Sequence, residues 1–195
     1  MKIGKIINIR RIILLFFLSL FISCTQITSY VKEEYQVIQV ETTTGYKMHS
    51  FGELYFGPQP SSKDMIALRE EGFRTIINLR KNGEKRGRYL ESASRNSAAL
   101  ADLQYYNIPF SLKEDHLNQS FINNINSISI KRLSFGKVLI HSASGEVAAM
   151  WLGANLFLNK NKPIDYAVKT AKEIGLTHDQ LILRLSSYLK KENKK

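Results

Sequence analysis

The sequence predicts an α/β fold, a small parallel sheet flanked by helices on both faces. Short apolar runs of strand character, such as residues 54–56 and 137–141, alternate with longer segments whose apolar residues recur at helical spacing. The chain of 195 residues is long enough for one domain with a substantial core. Hydrophobic residues make up 44% and charged residues 23%, as in an ordinary globular protein. Parallel sheets of this kind bind ligands at the carboxyl ends of their strands.

The first segment is predicted to be a targeting signal. Residues 1–11 are basic, residues 12–22 form an uncharged apolar run too short for a comfortable membrane span, and Ser23 and Cys24 follow. The apolar, apolar, small, Cys pattern resembles the bacterial lipobox, with Phe21 in place of the usual Leu. It implies a signal peptide over residues 1–23 and a lipidated Cys24 at the bacterial cell envelope, periplasmic or on the outer surface. An ordinary signal peptide or an uncleaved anchor is the alternative.

A polar tether is predicted over residues 24–50, the folded domain over residues 51–190 and a basic tail over residues 191–195, although the partly alternating residues 35–40 could form an earlier strand. Strands are predicted at 54–56, 74–80, 106–110 and 137–141. Helices are predicted at 62–71 (capped by Ser61 or Ser62), 91–105, 120–133, 147–158, 164–174 and 179–189 (capped by Thr177). Pro58 and Pro60 mark a turn, and residues 111–119 an irregular loop.

One turn carries the features of a binding site. The strand at 137–141 runs into a tight turn of small residues, and a helix follows at once. A strand, a small-residue turn and a helix N-terminus point several backbone N–H groups at one spot, and the helix dipole adds positive potential there. We therefore predict an anion-binding loop, formed by His141, Ser142, Ala143, Ser144, Gly145, Glu146, Val147 and Ala148.

This stretch resembles the phosphate-binding loop of the cysteine-dependent phosphatases. It is most similar to the bacterial phosphatase-like domain of the β-lactamase-hydrolase-like proteins, which is related to the dual-specificity phosphatases. That family's loop reads His-Cys-x-Ser-Gly-x-Arg before a helix with Trp, and the residues in register here are His141, Ser144, Gly145 and Trp151. A second similarity, to the family's opening, lies in Gly57-x-Gln59-Pro60-Ser61, Leu68-x-x-x-Gly72-Phe73-x-Thr75-Ile76-Ile77-Asn78-Leu79-Arg80 and Glu84. The resemblance implies a cysteine-dependent-phosphatase-like fold over residues 51–176.

The chain departs from the family where catalysis depends on single side chains. Ser142 stands where the family has its nucleophilic Cys, and a hydroxyl is a weak nucleophile without an adjacent base. Val147 stands where the loop Arg would be (Ala148 at the longer spacing of other phosphatases), so the loop itself lacks the guanidinium that would bind the phosphate. Glu146 is expected to repel a phosphate by on the order of 3 kcal/mol, at ~5 Å and an effective dielectric near 20. The resemblance implies that His141 supports the loop.

Two further side chains are candidates for chemistry at this loop. Asp115 lies on the loop where related phosphatases keep their general acid, with Glu114 and His116 as rivals, or with all three as a solvated charged loop. Arg80, at the carboxyl end of a strand, could supply the missing cation, or it could pair with Glu84.

These departures favour a membrane-anchored pseudophosphatase, a binding or interaction module whose partners are the membrane, through Cys24, and an unknown protein or anionic ligand. The net charge of +11 fits anionic partners, or scattered surface lysines equally well. The alternative is an active phosphoric monoester hydrolase that uses Ser142 and Asp115, with Arg80 or a lysine supplying charge. No cofactor is expected. The four histidines show no metal-ligand spacing, and no motif predicts nucleotide or nucleic-acid binding.

Overall fold

The computed structural model describes residues 35–195 apart from residues 82, 84, 87–88 and 112–116. Within these residues, six strands form one sheet in the order β1-β2-β3-β8-β4-β7, and two short strands, β5 and β6, form a separate hairpin. The strands are β1 (Val37–Glu41), β2 (Lys47–Phe51), β3 (Leu54–Gly57), β4 (Phe73–Asn78), β5 (Lys85–Arg86), β6 (Tyr89–Leu90), β7 (Gln104–Asn107) and β8 (Lys137–His141). The helices are α1 (Ser62–Glu70), α2 (Glu91–Leu100), α3 (Gln119–Leu133), α4 (Glu146–Lys160), α5 (Ile164–Ile174) and α6 (Asp179–Glu192).

The predicted α/β class is confirmed, but the sheet is mixed. Strands β3, β8, β4 and β7 are parallel to one another, whereas β2 pairs antiparallel with both β1 and β3. The connections on either side of β2 are short, and a parallel neighbour would require a long crossover. The predicted tether is therefore wrong for residues 35–50, because β1 and β2 lie in the sheet and one compact unit spans Tyr35–Lys195.

The first helix forms as the sequence predicts. The Ser61 hydroxyl accepts a hydrogen bond from the Asp64 N–H at 3.2 Å, and the Asp64 carboxylate accepts one from the Ser61 N–H at 2.8 Å. This reciprocal capping box satisfies two donors that have no partner within the helix. Helix α1 ends at Glu70, and Gly72 then adopts φ 93°, a left-handed conformation that favours glycine.

The predicted boundary between the next helix and strand is wrong. Helix α2 ends at Leu100 instead of residue 105, and β7 begins at Gln104 instead of residue 106. The chain turns at Asp102, whose φ is 54°, between the buried Ala101 and Leu103. These buried neighbours fix the reversal, and β7 then pairs with β4 with Tyr105 opposite Ile76.

The core lies on both faces of the sheet, with β8 near its middle. Val138 and Ile140 of β8 face the layer formed by α3 to α6, and Leu139 faces the layer formed by α1 and α2. Helix α4 is largely buried, and its Trp151 is fully enclosed, donating from Nε1 to the Ile122 carbonyl at 3.2 Å. This packing fixes the carboxyl end of β8 and the start of α4, between which the predicted loop lies. None of the helices in the described part of the chain is long and apolar enough to cross a membrane.

Candidate functional site

The start of the loop between β8 and α4 is held by hydrogen bonds to the ends of the two neighbouring strands. His141, the last residue of β8, lies opposite Gly57 of β3 on one side and Asn78 of β4 on the other. Its carbonyl accepts a hydrogen bond from the Leu79 N–H at 2.9 Å. The next residue, Ser142, donates its N–H to the Gly57 carbonyl at 3.4 Å. These bonds continue the sheet for one step beyond the strands and fix where the loop begins.

The Ser142 side chain closes the loop on itself. Its hydroxyl accepts a hydrogen bond from the Gly145 N–H at 3.0 Å, and only 3% of the residue is exposed. Gly145, the N-cap of α4, has φ 92°, and a Cβ there would lie 3.1 Å from the Gly57 carbonyl carbon. A glycine is therefore required both by the backbone conformation and by the close approach of the β3 turn. Gly145 has no side chain that could cap α4, and the N–H groups of the first turn have no acceptors within the helix.

A second contact joins the loop to Arg80. The Gln59 N–H donates to the Ala143 carbonyl at 3.4 Å, and the Gln59 side-chain oxygen accepts a hydrogen bond from Arg80 Nη1 at 2.9 Å. Arg80 is only 1% exposed. Gln59 thus connects the Arg80 guanidinium to the loop. The sequence placed Gln59 in the motif but gave it no role. Its position between Pro58 and Pro60, in a turn of fixed backbone, is the signal that could have identified it.

His141 is buried and neutral. It has no exposed surface, and neither ring nitrogen has a hydrogen-bond partner within the described residues. The pKa of His141 is lowered to about 3, mainly by burial; the Ser142 backbone opposes this shift, and the positive charge of Arg80 adds to it. An imidazole of such low basicity that is not hydrogen-bonded to the Ser142 hydroxyl is not placed to act as its general base.

The two positions predicted to correspond to a loop arginine are apolar. Val147 is half-buried and packs against the core that includes α4, and Ala148 is fully buried. Neither side chain can offer the paired donors that a guanidinium gives to phosphate oxygens.

The Glu146 carboxylate is hydrogen-bonded at both oxygens. Its Oε1 accepts hydrogen bonds from the N–H groups of Thr177 (3.2 Å) and His178 (2.8 Å) and from the Thr177 hydroxyl (3.0 Å). Its Oε2 accepts one from the Ser144 hydroxyl at 3.0 Å. Partial burial raises the pKa of Glu146, but these hydrogen bonds outweigh it and lower the pKa overall. The carboxylate therefore lies at the N-terminus of α6, where the helix dipole favours it. It remains ionised, so its predicted repulsion of an anion stays a prediction.

The cap of α6 corrects a prediction. The N-cap residue is His178 instead of Thr177, and no side chain of the N-cap forms a capping bond. Thr177 instead donates its hydroxyl to Glu146. The contact was hidden from sequence reasoning because the two residues are 31 positions apart.

The remaining candidates lie outside the described residues. These are Asp115 with its rivals Glu114 and His116, the possible Arg80 partner Glu84, and the predicted lipidation site Cys24. Among the residues that the structure does describe, no three His, Cys, Asp or Glu side chains are grouped closely enough to hold a metal ion. The structure thus brings together the loop residues, Arg80 and Gln59.

Solved structures of phosphatases share this architecture. A putative phosphatase from Neisseria meningitidis is similar with a TM-score of 0.54 and 17% identity, over 69% of this chain and 92% of that one. A cysteine-to-serine variant of P. aeruginosa TpbA in complex with pTyr gives a TM-score of 0.57 and 13% identity, over 82% of this chain and 91% of that one. A kinase-associated phosphatase with its catalytic-site cysteine replaced by serine is similar with a TM-score of 0.54 and 13% identity, over 84% of this chain and 99% of that one.

At these identities the structures establish the fold alone. No curated protein matches the chain by sequence. Residues 50–149, from the end of β2 into α4, match the family described as "Beta-lactamase hydrolase-like protein, phosphatase-like domain". This match spans just over half of the chain and includes the turn at Gly57, Arg80 and the whole loop. The chain therefore belongs to the phosphatase-like domain family of the β-lactamase hydrolase-like proteins.

Proposed function

We propose that this protein is a membrane-anchored phosphatase-like lipoprotein that binds an anionic group, such as a phosphate ester, at the loop 142–148 without hydrolysing it efficiently. The observation that carries the proposal is the state of Ser142. Its hydroxyl already accepts the Gly145 N–H, whereas the N–H groups of the first turn of α4 have no acceptor within the helix. This arrangement supports anion binding, and among the described residues no base or loop guanidinium supports cleavage of an ester bond.

Anion binding is supported by the backbone. The helix N-terminus at Gly145 offers N–H groups and a positive dipole end to the loop. Arg80 adds a formal positive charge next to the loop, held through Gln59. Because Glu146 is compensated by the start of α6, it opposes a bound anion less than an isolated carboxylate would.

Weak or absent hydrolysis is supported by three side chains. Ser142 has no base within hydrogen-bond reach among the described residues, since His141 is neutral and makes no bond to it. A serine hydroxyl that is not deprotonated is a poor nucleophile. Val147 packs against the core, and its apolar side chain has no donor for the transferring phosphoryl group. Loss of nucleophile activation and of the loop cation both raise the barrier to phosphoryl transfer.

A serine at the nucleophile position is compatible with ligand binding in a protein of this fold. The cysteine-to-serine variant of P. aeruginosa TpbA was solved with pTyr. We infer that phosphotyrosine is a reasonable probe for the loop of this chain.

Membrane attachment is proposed from the N-terminal sequence. Residues 1–24 combine a basic start, an apolar run and Ser23-Cys24, the pattern that favours lipidation of Cys24. Cys24→Ala is expected to move the protein from the membrane fraction to the soluble fraction after cell lysis. Unchanged partitioning of the variant would contradict lipid anchoring.

An active phosphoric monoester hydrolase is the second candidate, favoured by the burial of Arg80 beside the loop. In that case Ser142 would be the nucleophile, Asp115 the general acid and Arg80 the stabilising cation. The binding proposal and this candidate predict the same occupancy of the loop, so they are separated by turnover.

The binding proposal is tested with phosphotyrosine and a pair of matched glycine variants. Gly145 and Gly72 have nearly the same φ, 92° and 93°, so alanine incurs similar backbone strain at both positions. Only at Gly145 does the new Cβ meet a neighbour, because nothing lies within 4 Å of one at Gly72. Gly145→Ala is expected to weaken phosphotyrosine binding by about tenfold or more, since it displaces the loop donors, a change worth ~1.4 kcal/mol.

Phosphotyrosine is titrated into the full chain in mild detergent, and binding is measured by isothermal calorimetry and by the amide chemical shifts of residues 142–148. Gly72→Ala is expected to bind as the wild type does. No binding by the wild type, or equal binding by both variants, would contradict the assignment of the loop as the binding site.

A further inference from the structure

The contacts of Glu146 join two parts of the fold that are distant in sequence. One carboxylate oxygen serves Thr177 and His178 at the start of α6, and the other serves Ser144 inside the loop. Ser144 itself is exposed, and its hydroxyl is held at 3.0 Å by this carboxylate. The position of the loop backbone at Ser144 is therefore tied to the position of α6.

We propose that Glu146 is a positioning residue that links the loop to α6 and so holds the loop N–H groups in the arrangement that receives an anion. Its hydrogen bonds to Ser144, Thr177 and His178 are called the clasp below. The effect on affinity rests on the proposed anion-binding function, whereas the effect on α6 rests on the contacts alone. Glu146 is the first residue of α4, so its backbone N–H is one of the donors at the loop while its side chain is turned to the clasp.

The chemistry of the clasp suits a carboxylate. The start of α6 presents two backbone N–H groups and one hydroxyl, all donors, and has no capping side chain at its own N-cap. A carboxylate accepts at both oxygens and complements the positive end of the helix dipole. Alanine would leave these donors to water and would release Ser144. Glutamine would keep an acceptor for α6 but would lose the charge, so it separates geometry from electrostatics.

The sign of the effect on binding distinguishes this inference from simple repulsion. If Glu146 acted only as a negative charge near the anion, Glu146→Ala would tighten binding. If Glu146 positions the loop, Glu146→Ala weakens binding although a negative charge has been removed. Glu70→Ala is the matched control, since it removes one negative charge from an exposed site on α1.

The test combines affinity with amide hydrogen exchange on the full chain. We expect Glu146→Ala to weaken inorganic phosphate binding by about tenfold, Glu146→Gln by less, and Glu70→Ala not at all. In the same variant, the amides of Thr177 and His178 are expected to exchange at least about tenfold faster. Ser144→Ala removes only the hydrogen bond between the loop and Glu146, so it is expected to weaken binding while the Thr177 and His178 amides stay protected.

Each outcome decides the inference. Equal or tighter phosphate binding by Glu146→Ala would overturn the positioning role while leaving the binding site in place. If the wild type binds no phosphate, the proposed function fails, and hydrogen exchange alone then tests the clasp. Unchanged exchange at Thr177 and His178 in both Glu146 variants would overturn the clasp itself.

Discussion

The buried His141 predicts a specific dependence of stability on pH. Its pKa falls from 6.5 to about 3 in the folded protein, because the charged imidazolium would be desolvated. Between these values the unfolded chain binds a proton at this site and the folded chain does not, so acid favours unfolding. The stabilising contribution is fully present above pH 6.5 and is lost as the pH falls toward about 3. The whole shift corresponds to about 5 kcal/mol.

A narrower pH range isolates the effect of the proton that His141 binds in the unfolded chain. Between pH 7 and pH 5 the depressed pKa predicts a loss of about 2 kcal/mol in the free energy of unfolding from His141 alone. We propose urea unfolding at both pH values for the wild type and for His141→Leu, which is close in volume and cannot bind a proton. The fluorescence of Trp151 reports the transition, because it is the only tryptophan and it is fully buried.

The variant is expected to lose about 2 kcal/mol less than the wild type over this range, whatever its stability at pH 7. Contributions from groups other than His141 are common to both proteins and cancel in the difference. An identical pH dependence in the two proteins would refute the reasoning. So would an NMR titration in which the His141 ring protonates near pH 6.5.

Further predictions concern the loop and its support. Ser142→Cys combined with Val147→Arg is expected to give slow hydrolysis of an aryl phosphate, because a helix N-terminus lowers the pKa of a thiol and the guanidinium would bind phosphoryl oxygens. Ser142→Cys alone should be less active. No gain in the double variant would mean that other residues block the chemistry. Gly57→Ala should destabilise the fold by ~1–3 kcal/mol, since a Cβ would lie 2.5 Å from the Tyr46 hydroxyl. That hydroxyl donates a hydrogen bond to the Pro58 carbonyl at 2.6 Å, so Tyr46→Phe alone should lower the free energy of unfolding by about 1 kcal/mol. In the double variant, Tyr46→Phe should restore part of the stability lost in Gly57→Ala. If the free energies of unfolding measured in urea are purely additive, the clash is contradicted.

Much of the fold was predictable because local signals agree with the final packing. The strand at 137–141 and the helix at 164–174 have the predicted bounds, and Ser61 caps α1 as its sequence context predicts. In each case apolar spacing, a capping residue or a terminal glycine acts within a few positions. The loop itself was found for the same reason, since strand, turn and helix are contiguous in the chain.

Contacts between distant segments were not predictable from local pattern. The direction of the Glu146 side chain depends on donors at residues 177 and 178, which only tertiary packing brings near. Likewise β1 and β2 belong to the sheet because β3 offers a partner, although their own residues are polar enough to resemble a tether. Gln59 acquires its role only because the turn at Pro58 carries it over to Ala143 and Arg80.

The measurement that tests the central claim most directly is hydrolysis of p-nitrophenyl phosphate by the full chain, beside Ser142→Ala, with phosphotyrosine binding recorded on the same samples. We predict binding by the wild type and no turnover above the variant, since Ser142 lacks a base among the described residues and Val147 replaces the loop cation. Turnover by the wild type that disappears in Ser142→Ala would contradict this account and would identify a serine-dependent phosphatase.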